Sequence, residues 1–179
     1  MRRPRVLLGL LVLLGSGCAR VPGQEVPDVR TPPVVVNEML RLANVTPGDV
    51  VYDLGSGDGR IVIAAARDRG ARGVGFEIDP ALVAQATARA KRLGLAERVT
   101  FHQQDLFQAD LRPATVVTLY LGMDLNRRIR PKLMAELRPG ARVVSHNYDM
   151  DDWAPWQTLK VESHEGSHTL YLWIVPEKK

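Results

Sequence analysis

The sequence predicts an α/β fold: an open, doubly wound, mostly parallel sheet of seven strands that ends in an antiparallel hairpin. Short apolar runs alternate with stretches of helical periodicity from residue 50 onward, the pattern of parallel strands joined by helical crossovers. A glycine-rich turn, "DLGSGDGR", joins the first of those runs to the first of those helical stretches. Near the C-terminus, "QTLKVES" and "HTLYLWIVP" are two strand-like runs separated only by "HEGS", which reads as a hairpin.

The elements follow in order. "TPPVVVNEMLRLANV" opens a helix, with threonine ahead of proline and Val36, Met39, Leu40 and Ala43 on one face; "TPGD" ends it. "VVYDL" (50–54) is a buried strand, and "GRIVIAAARDRG" a helix that stops at Gly70. "RGVGFEI" (72–78) is the second strand. "PALVAQATARAKRLG" is an alanine-rich helix with proline in its first turn and glycine at its end. "RVTFHQQD" is the third strand and "ATVVTLYL" (114–121) the fourth. "DLNRRIRPKLMAEL" is a helix, "ARVVSHN" the fifth strand, and the hairpin supplies the last two. In such a sheet, ligands sit beyond the carboxyl ends of the strands, where the strand order reverses.

At 179 residues the chain reads as one domain, residues 31–179, behind a leader (1–18) and a tether (19–30). The leader has a basic start, an apolar run from Val6 to Leu14, and then "GSGCA". That run is too short to span a bilayer as a helix. "LGSGC" resembles a bacterial lipobox, with Gly15 where leucine is usual, so Cys18 is expected to become a lipidated N-terminus. Cleavage after Ala19 is the alternative, as is a misplaced start ahead of a cytoplasmic protein. The expected address is therefore an exported, membrane-anchored lipoprotein or the periplasm. "RVPGQEVPDVR" then reads as an extended tether. A single cysteine excludes an intramolecular disulfide.

The formal charge of +4 hints at nucleic acid, but Arg2, Arg3 and Arg5 of the leader carry most of it. Beyond residue 18, 21 basic residues face 20 acidic ones, so no nucleic-acid partner is expected from composition. The local cluster Arg127, Arg128, Arg130 and Lys132 reads as a solvated helix face, with an acidic protein or lipid surface as the functional alternative. No metal site is expected: His164 and His168 flank the hairpin turn without a third ligand nearby.

The glycines at 55, 57 and 59 form a GxGxG loop; the third glycine of the dinucleotide fingerprint would fall at 60, where the chain has Arg60. Glycine lets backbone turn sharply and approach a ligand, and the helix start beyond offers free N–H groups to a carboxylate. Asp53 precedes the loop, and Glu77 ends the second strand, where an acid can accept both hydroxyls of a ribose. A ligand bearing a carboxylate and a ribose fits these groups.

At these residues the sequence resembles the class I, seven-strand S-adenosylmethionine-dependent methyltransferases. "VYDLGSGDGR", "GVGFEIDP" and "QQDLF" occur in that order, and the resemblance runs from about Thr31 to Pro176. It implies S-adenosyl-L-methionine as cofactor. By the same resemblance, Asp53 and the loop Gly55, Gly57 and Gly59 hold the methionine end, and Thr31 and Ser56 also bind the cofactor. Glu77 takes the ribose hydroxyls rather than Asp79, and Asp105 meets the adenine amino group. Within that superfamily, "TPPVVVNEMLRLA", "DLGSGDGRIVIAAA" and "LRPGARVVSHNYDMDDW" look like the small protein-lysine methyltransferases of mitochondria and their bacterial relatives. The histone-lysine enzymes of the same fold are more distant. The place after the fourth strand reads "TLYLGMD" and lacks the Asn-Pro-Pro-Tyr type motif of many nucleic-acid enzymes. The resemblance thus implies a protein or small-molecule amine as acceptor.

Methyl transfer to an amine needs orientation and removal of a proton from the acceptor. Tyr120, Asp124, His146, Asn147 and Tyr148 fall at the ends of the fourth and fifth strands, facing that position. Tyr120 is the expected acceptor-orienting hydroxyl, with core packing as its alternative. His146 is a possible proton relay or a structural histidine, and Asp124 a participant or a helix cap. Trp153 and Trp156 either wall the acceptor channel or close the core. A non-catalytic module that only binds the cofactor is the competing reading of the whole chain.

Overall fold

The structure, a computed structural model, describes residues 30–177. The leader and all of the tether but Arg30 lie outside the described residues. The order is α1 (Pro33–Leu42), β1 (Val50–Leu54), α2 (Arg60–Arg69), β2 (Arg72–Glu77), α3 (Pro80–Arg92), β3 (Val99–Gln103), β4 (Val116–Leu119), α4 (Met123–Glu136), β5 (Arg142–His146), β6 (Gln157–Ser163) and β7 (Gly166–Ile174), with a short 3-10 turn at Leu106–Gln108.

The expected sheet is observed. Its seven strands run in the order β3-β2-β1-β4-β5-β7-β6. β1 to β5 are parallel, and β7 pairs antiparallel with both β5 and β6. After β1 the chain first builds outward to β3 and then returns to lay β4 on the other side of β1, so the order reverses between β1 and β4. The crevice above that point is where a parallel sheet presents ligands.

Both faces of the sheet are covered, which is why its inner strands read as continuous apolar runs and not as alternation. Val35, Val36, Met39 and Leu40 of α1 and Ile61–Ala66 of α2 pack one face. Ile129 and Leu133 of α4, with Leu54, Leu119 and Trp173, fill the other. α2 ends on Gly70 at φ 69, a left-handed position that suits glycine, and its N–H returns to the Ala66 carbonyl. No helix links β5 to β6. There Trp153 packs on Trp173 with ring centroids 5.8 Å apart, and its carbonyl accepts from Trp173 Nε1 at 2.6 Å. Trp153 therefore closes the core, whereas Trp156 is 74% exposed.

Several element ends differ from expectation by one to a few residues, and two of these bear on the site. β4 covers Val116–Leu119 and not 114–121, so Tyr120 stands beyond the strand end. α4 begins at Met123 behind Gly122, which leaves Asp124 in the first turn, exposed and with no capping bond. The expectation that Asp124 caps this helix is corrected: the backbone turns into the helix at Gly122, φ 100, before Asp124 is reached.

Candidate active site

The crevice has two halves. On the β1–β2 side, Gly55, Gly57 and Gly59 all take positive φ, at 79, 51 and 74. The loop is tied down because the Gly55 and Ser56 N–H groups both donate to the Phe76 carbonyl at 2.9 Å. A Cβ on Gly59 would stand 2.4 Å from the Phe101 ring, and one on Gly55 2.6 Å from Leu121. Glycine is thus required by both conformation and space. Arg60, where a dinucleotide loop would have its third glycine, is bound to Asp58 through Nε at 2.9 Å and Nη2 at 2.8 Å. Its Nη1 donates to the Thr31 carbonyl at 2.7 Å.

Glu77 faces this loop. Its Oε2 accepts from the Gly57 N–H at 2.9 Å, and its Oε1 accepts from the N–H groups of Ile78 and Asp79 at 2.8 and 3.0 Å. Asp79 is committed elsewhere, as the cap of α3, accepting from the Ala81 N–H at 2.7 Å. Asp53 lies beneath the loop, 2% exposed, and accepts from Thr118 Oγ1 at 2.7 Å. Burial pushes its carboxyl up to about 7 against that hydrogen bond, and the charges of Glu77 and Asp58 act in the same direction as burial. Ser56 Oγ is buried with no hydrogen-bond partner among the described residues. Asp105 accepts from the Phe107 N–H at 2.9 Å and so holds the turn at Leu106–Gln108.

These residues fit S-adenosylmethionine. A buried carboxyl deprived of counter-charge favours a cationic ligand group, and an unpaired buried hydroxyl awaits a partner. The three glycines at positive φ let the backbone turn tightly at the carboxyl end of β1. Asp53, Ser56 and the loop would hold the methionine end, Glu77 the ribose, and Asp105 the adenine.

On the β4–β5 side, Tyr120 lies half-buried with its ring 3.9 Å from that of His146 and 6.1 Å from that of Tyr148. Burial raises its phenol above the ordinary value, as do Tyr148 and Glu165, while a hydrogen bond with the Asn147 side chain acts against them. Asn147 itself is in the left-handed region, φ 62. It is held there by two bonds to Thr169: its N–H donates to the Thr169 carbonyl at 2.7 Å, and its Oδ1 accepts from the Thr169 N–H at 2.9 Å.

His146 is fully buried, with Nδ1 3.3 Å from Thr31 Oγ1 and Nε2 2.8 Å from His168 Nδ1. Burial lowers its pKa to about 4, and His168 adds to the effect. The imidazole is therefore neutral at pH 7. The Thr31 hydroxyl lies against His146, and its carbonyl accepts from Arg60 of the glycine loop. Tyr120, His146, Asn147 and Tyr148 come together as expected; among the described residues no hydrogen bond or ion pair joins Asp124 to them.

Sequence reasoning missed Thr118, Ser163 and His168. His168 read as a hairpin-flanking residue, yet it is 8% exposed and bonded to His146. Only the β5–β7 register, His146 opposite Leu170, brings the two rings together. The cluster at 127–132 is engaged within the chain. Arg127 and Arg130 pair with Asp151 and Asp152, Lys132 pairs with Glu136, and Arg128 lies over the Phe107 ring. A separate cleft of about 520 Å³ between α1, α2 and α3 is lined by Arg30, Arg60, Arg67, Arg89 and Arg92 together with Asp58. The chain-wide charge balance gave no sign of this local basic surface.

A glycine loop between β1 and α2, a buried acid before it and an acid at the end of β2 define a class I S-adenosylmethionine-dependent methyltransferase. The family model of the ANTKMT methyltransferase domain matches residues 53–157, and the chain belongs to that family. A protein-lysine N-methyltransferase of Saccharolobus islandicus (strain REY15A) is 43% identical over 156 residues, 87% of this chain and 97% of the relative. The adenine nucleotide translocase lysine N-methyltransferase of Mus musculus is 39% identical over 80% of this chain, which spans 63% of that relative. Among solved structures, an RNA methyltransferase from Salinibacter ruber in complex with S-adenosyl-L-homocysteine is 55% identical, with a TM-score of 0.80, over 84% of this chain and 96% of that one. The chain is an S-adenosylmethionine-dependent methyltransferase.

Proposed function

We propose that the protein methylates the side-chain amine of a protein lysine, directly and without a covalent enzyme intermediate. The observation that carries this reading is the rim beside the cofactor half: the Tyr120 phenol, packed at a tilt against a neutral imidazole, with the Tyr148 ring beside it and the charge of Glu165 acting on it. Oxygen acceptors without a competing fixed cation suit an ammonium group that must be held and then deprotonated. A lysine amine, with an ordinary pKa of about 10.4, is protonated at neutral pH and cannot attack until that proton leaves. When bound, S-adenosylmethionine supplies an electrophilic methyl group on a sulfonium. Tyr120 orients the amine by accepting one of its N–H bonds, and the proton that the ammonium sheds before attack passes to solvent at the half-exposed rim. Orientation of this kind contributes on the order of 7–11 kcal/mol to a bimolecular reaction. The lysine acceptors named for the relatives support the same choice.

The full chain incubated with methyl-labelled cofactor and a protein extract is expected to yield label recovered as N-methyl-lysine after hydrolysis. A parallel arm with RNA tests the acceptor named for the Salinibacter ruber protein. Label that is sensitive to ribonuclease and found on nucleotides would overturn the lysine reading. Tyr120→Phe is expected to lower turnover roughly 100-fold while sparing cofactor affinity.

The sequence of the leader supports the further reading that the chain is exported and lipidated at Cys18. Several lipid chains anchor firmly where one does not. Fusion of residues 1–30 to alkaline phosphatase, a reporter active only after export, is expected to give activity, and Cys18→Ser to release the protein from membranes. An inactive fusion with native protein in the soluble cytosol would make this a cytoplasmic enzyme.

A further inference from the structure

We propose that His168, anchored by Ser163, is a positioning residue for the acceptor: through His146 it fixes the surface on which Tyr120 stacks. The inference rests on Tyr120 orienting the acceptor amine and extends that role to residues of the β6–β7 hairpin.

A continuous hydrogen-bond chain carries it. Thr31 Oγ1 lies 3.3 Å from His146 Nδ1, His146 Nε2 lies 2.8 Å from His168 Nδ1, and His168 Nε2 lies 2.8 Å from Ser163 Oγ. Ser163 Oγ also accepts from the Glu165 N–H at 3.0 Å and lies 3.3 Å from the Gly166 carbonyl, which ties the end of the chain to the hairpin turn. Run in either direction, the chain gives each ring nitrogen one partner, a donor on one side of each imidazole and an acceptor on the other. Every polar atom along this line has a partner.

The placement has a consequence for Tyr120. A buried imidazole can rotate about its Cβ–Cγ bond only by breaking its hydrogen bonds, which a buried group does at the full cost of desolvation. Thr31 at one end and His168 at the other therefore lock the plane of His146. Tyr120 rests on that plane at a centroid distance of 3.9 Å and an interplanar angle of 30°. Asn147, which follows His146, is clasped by Thr169, the residue after His168. The strand end on which the phenol rests is thus referenced to one strand, β7. The charged and titratable groups facing the pair are few: Tyr120 and Tyr148 above it, Glu165 at the hairpin tip, and Arg60 behind Thr31. α1 meets this region with the apolar Val35, Val36, Met39 and Leu40.

The test is a double-mutant cycle in the full chain. His168→Leu in the wild-type background is expected to lower kcat about tenfold with the cofactor dissociation constant unchanged. In the Tyr120→Phe background the same substitution is expected to cost less than about twofold, because the group through which it acts is already lost. Equal losses in the two backgrounds would make His168 a general structural residue and overturn the inference. His168→Gln, which keeps a donor and an acceptor, serves as the second variant if the leucine form does not fold, and is judged by the same comparison. Should Tyr120→Phe by itself leave turnover unchanged, the acceptor assignment fails, and that result is separate from the outcome of the cycle.

Discussion

On the β1–β2 side of the crevice a carboxyl, Asp53, is kept protonated by burial up to about 7; on the β4–β5 side an imidazole, His146, is kept unprotonated by burial down to about 4. Both groups are neutral through desolvation, yet the sites around them are built differently. The cofactor side draws mainly on one short span, 53 to 79, in which loop, strand end and helix cap follow each other along the chain, with only Asp105 and Thr118 added from beyond it. The acceptor side draws on Thr31, Tyr120, His146, Ser163 and His168, joined only by sheet register and by packing of α1. A site held by local sequence tolerates changes elsewhere in the fold. A site held by register depends on the whole sheet.

The largest expected effect breaks the electrostatic symmetry. An acid with a raised pKa in the folded state gives stability that is full below about 4 and is lost as pH rises through about 7. A base with a lowered pKa gives stability that is full above about 6.5 and is lost as pH falls towards about 4. In the window between, the two slopes oppose each other. Asp53→Asn still accepts from Thr118 and cannot ionise, so its stability relative to the wild type should climb from pH 4 to pH 8, by an upper bound of about 4 kcal/mol. Denaturant unfolding of the cofactor-free protein across that range measures it. A difference independent of pH would show that Asp53 ionises normally in the fold.

A smaller effect sharpens the cofactor side alone. Glu77→Ala removes the acceptor of the Gly57 N–H and, in the proposed site, of the ribose hydroxyls. Calorimetry with S-adenosylmethionine is expected to show a loss of about 1.5–3 kcal/mol. Unchanged affinity with an intact fold would remove Glu77 from the ribose site.

The same contrast explains what could be read from the sequence. The glycine loop, Asp53 and Glu77 were legible because their chemistry demands particular residue types at fixed local spacing. The sheet was legible for the same reason, since each strand and helix carries its own periodicity. Tyr120, His146 and Tyr148 were legible only as strand-end residues, without their mutual geometry. His168 was not legible as a site residue at all. A histidine next to a hairpin turn looks solvated until the antiparallel pairing of β5 with β7 shows which way it points. Asp124 failed the other way: acidic residues near a helix start are often caps, but Gly122 had already set the boundary.

The central claim is that the two halves are separable, one governing cofactor binding and the other acceptor turnover. It is tested most directly by calorimetric titration of S-adenosylmethionine into the full-length Tyr120→Phe, His168→Leu double variant. The account predicts a dissociation constant within about twofold of the wild type, since none of the residues assigned to the cofactor is altered. A loss of affinity as large as that of Glu77→Ala, with the fold intact, would contradict it and make the crevice a single coupled site.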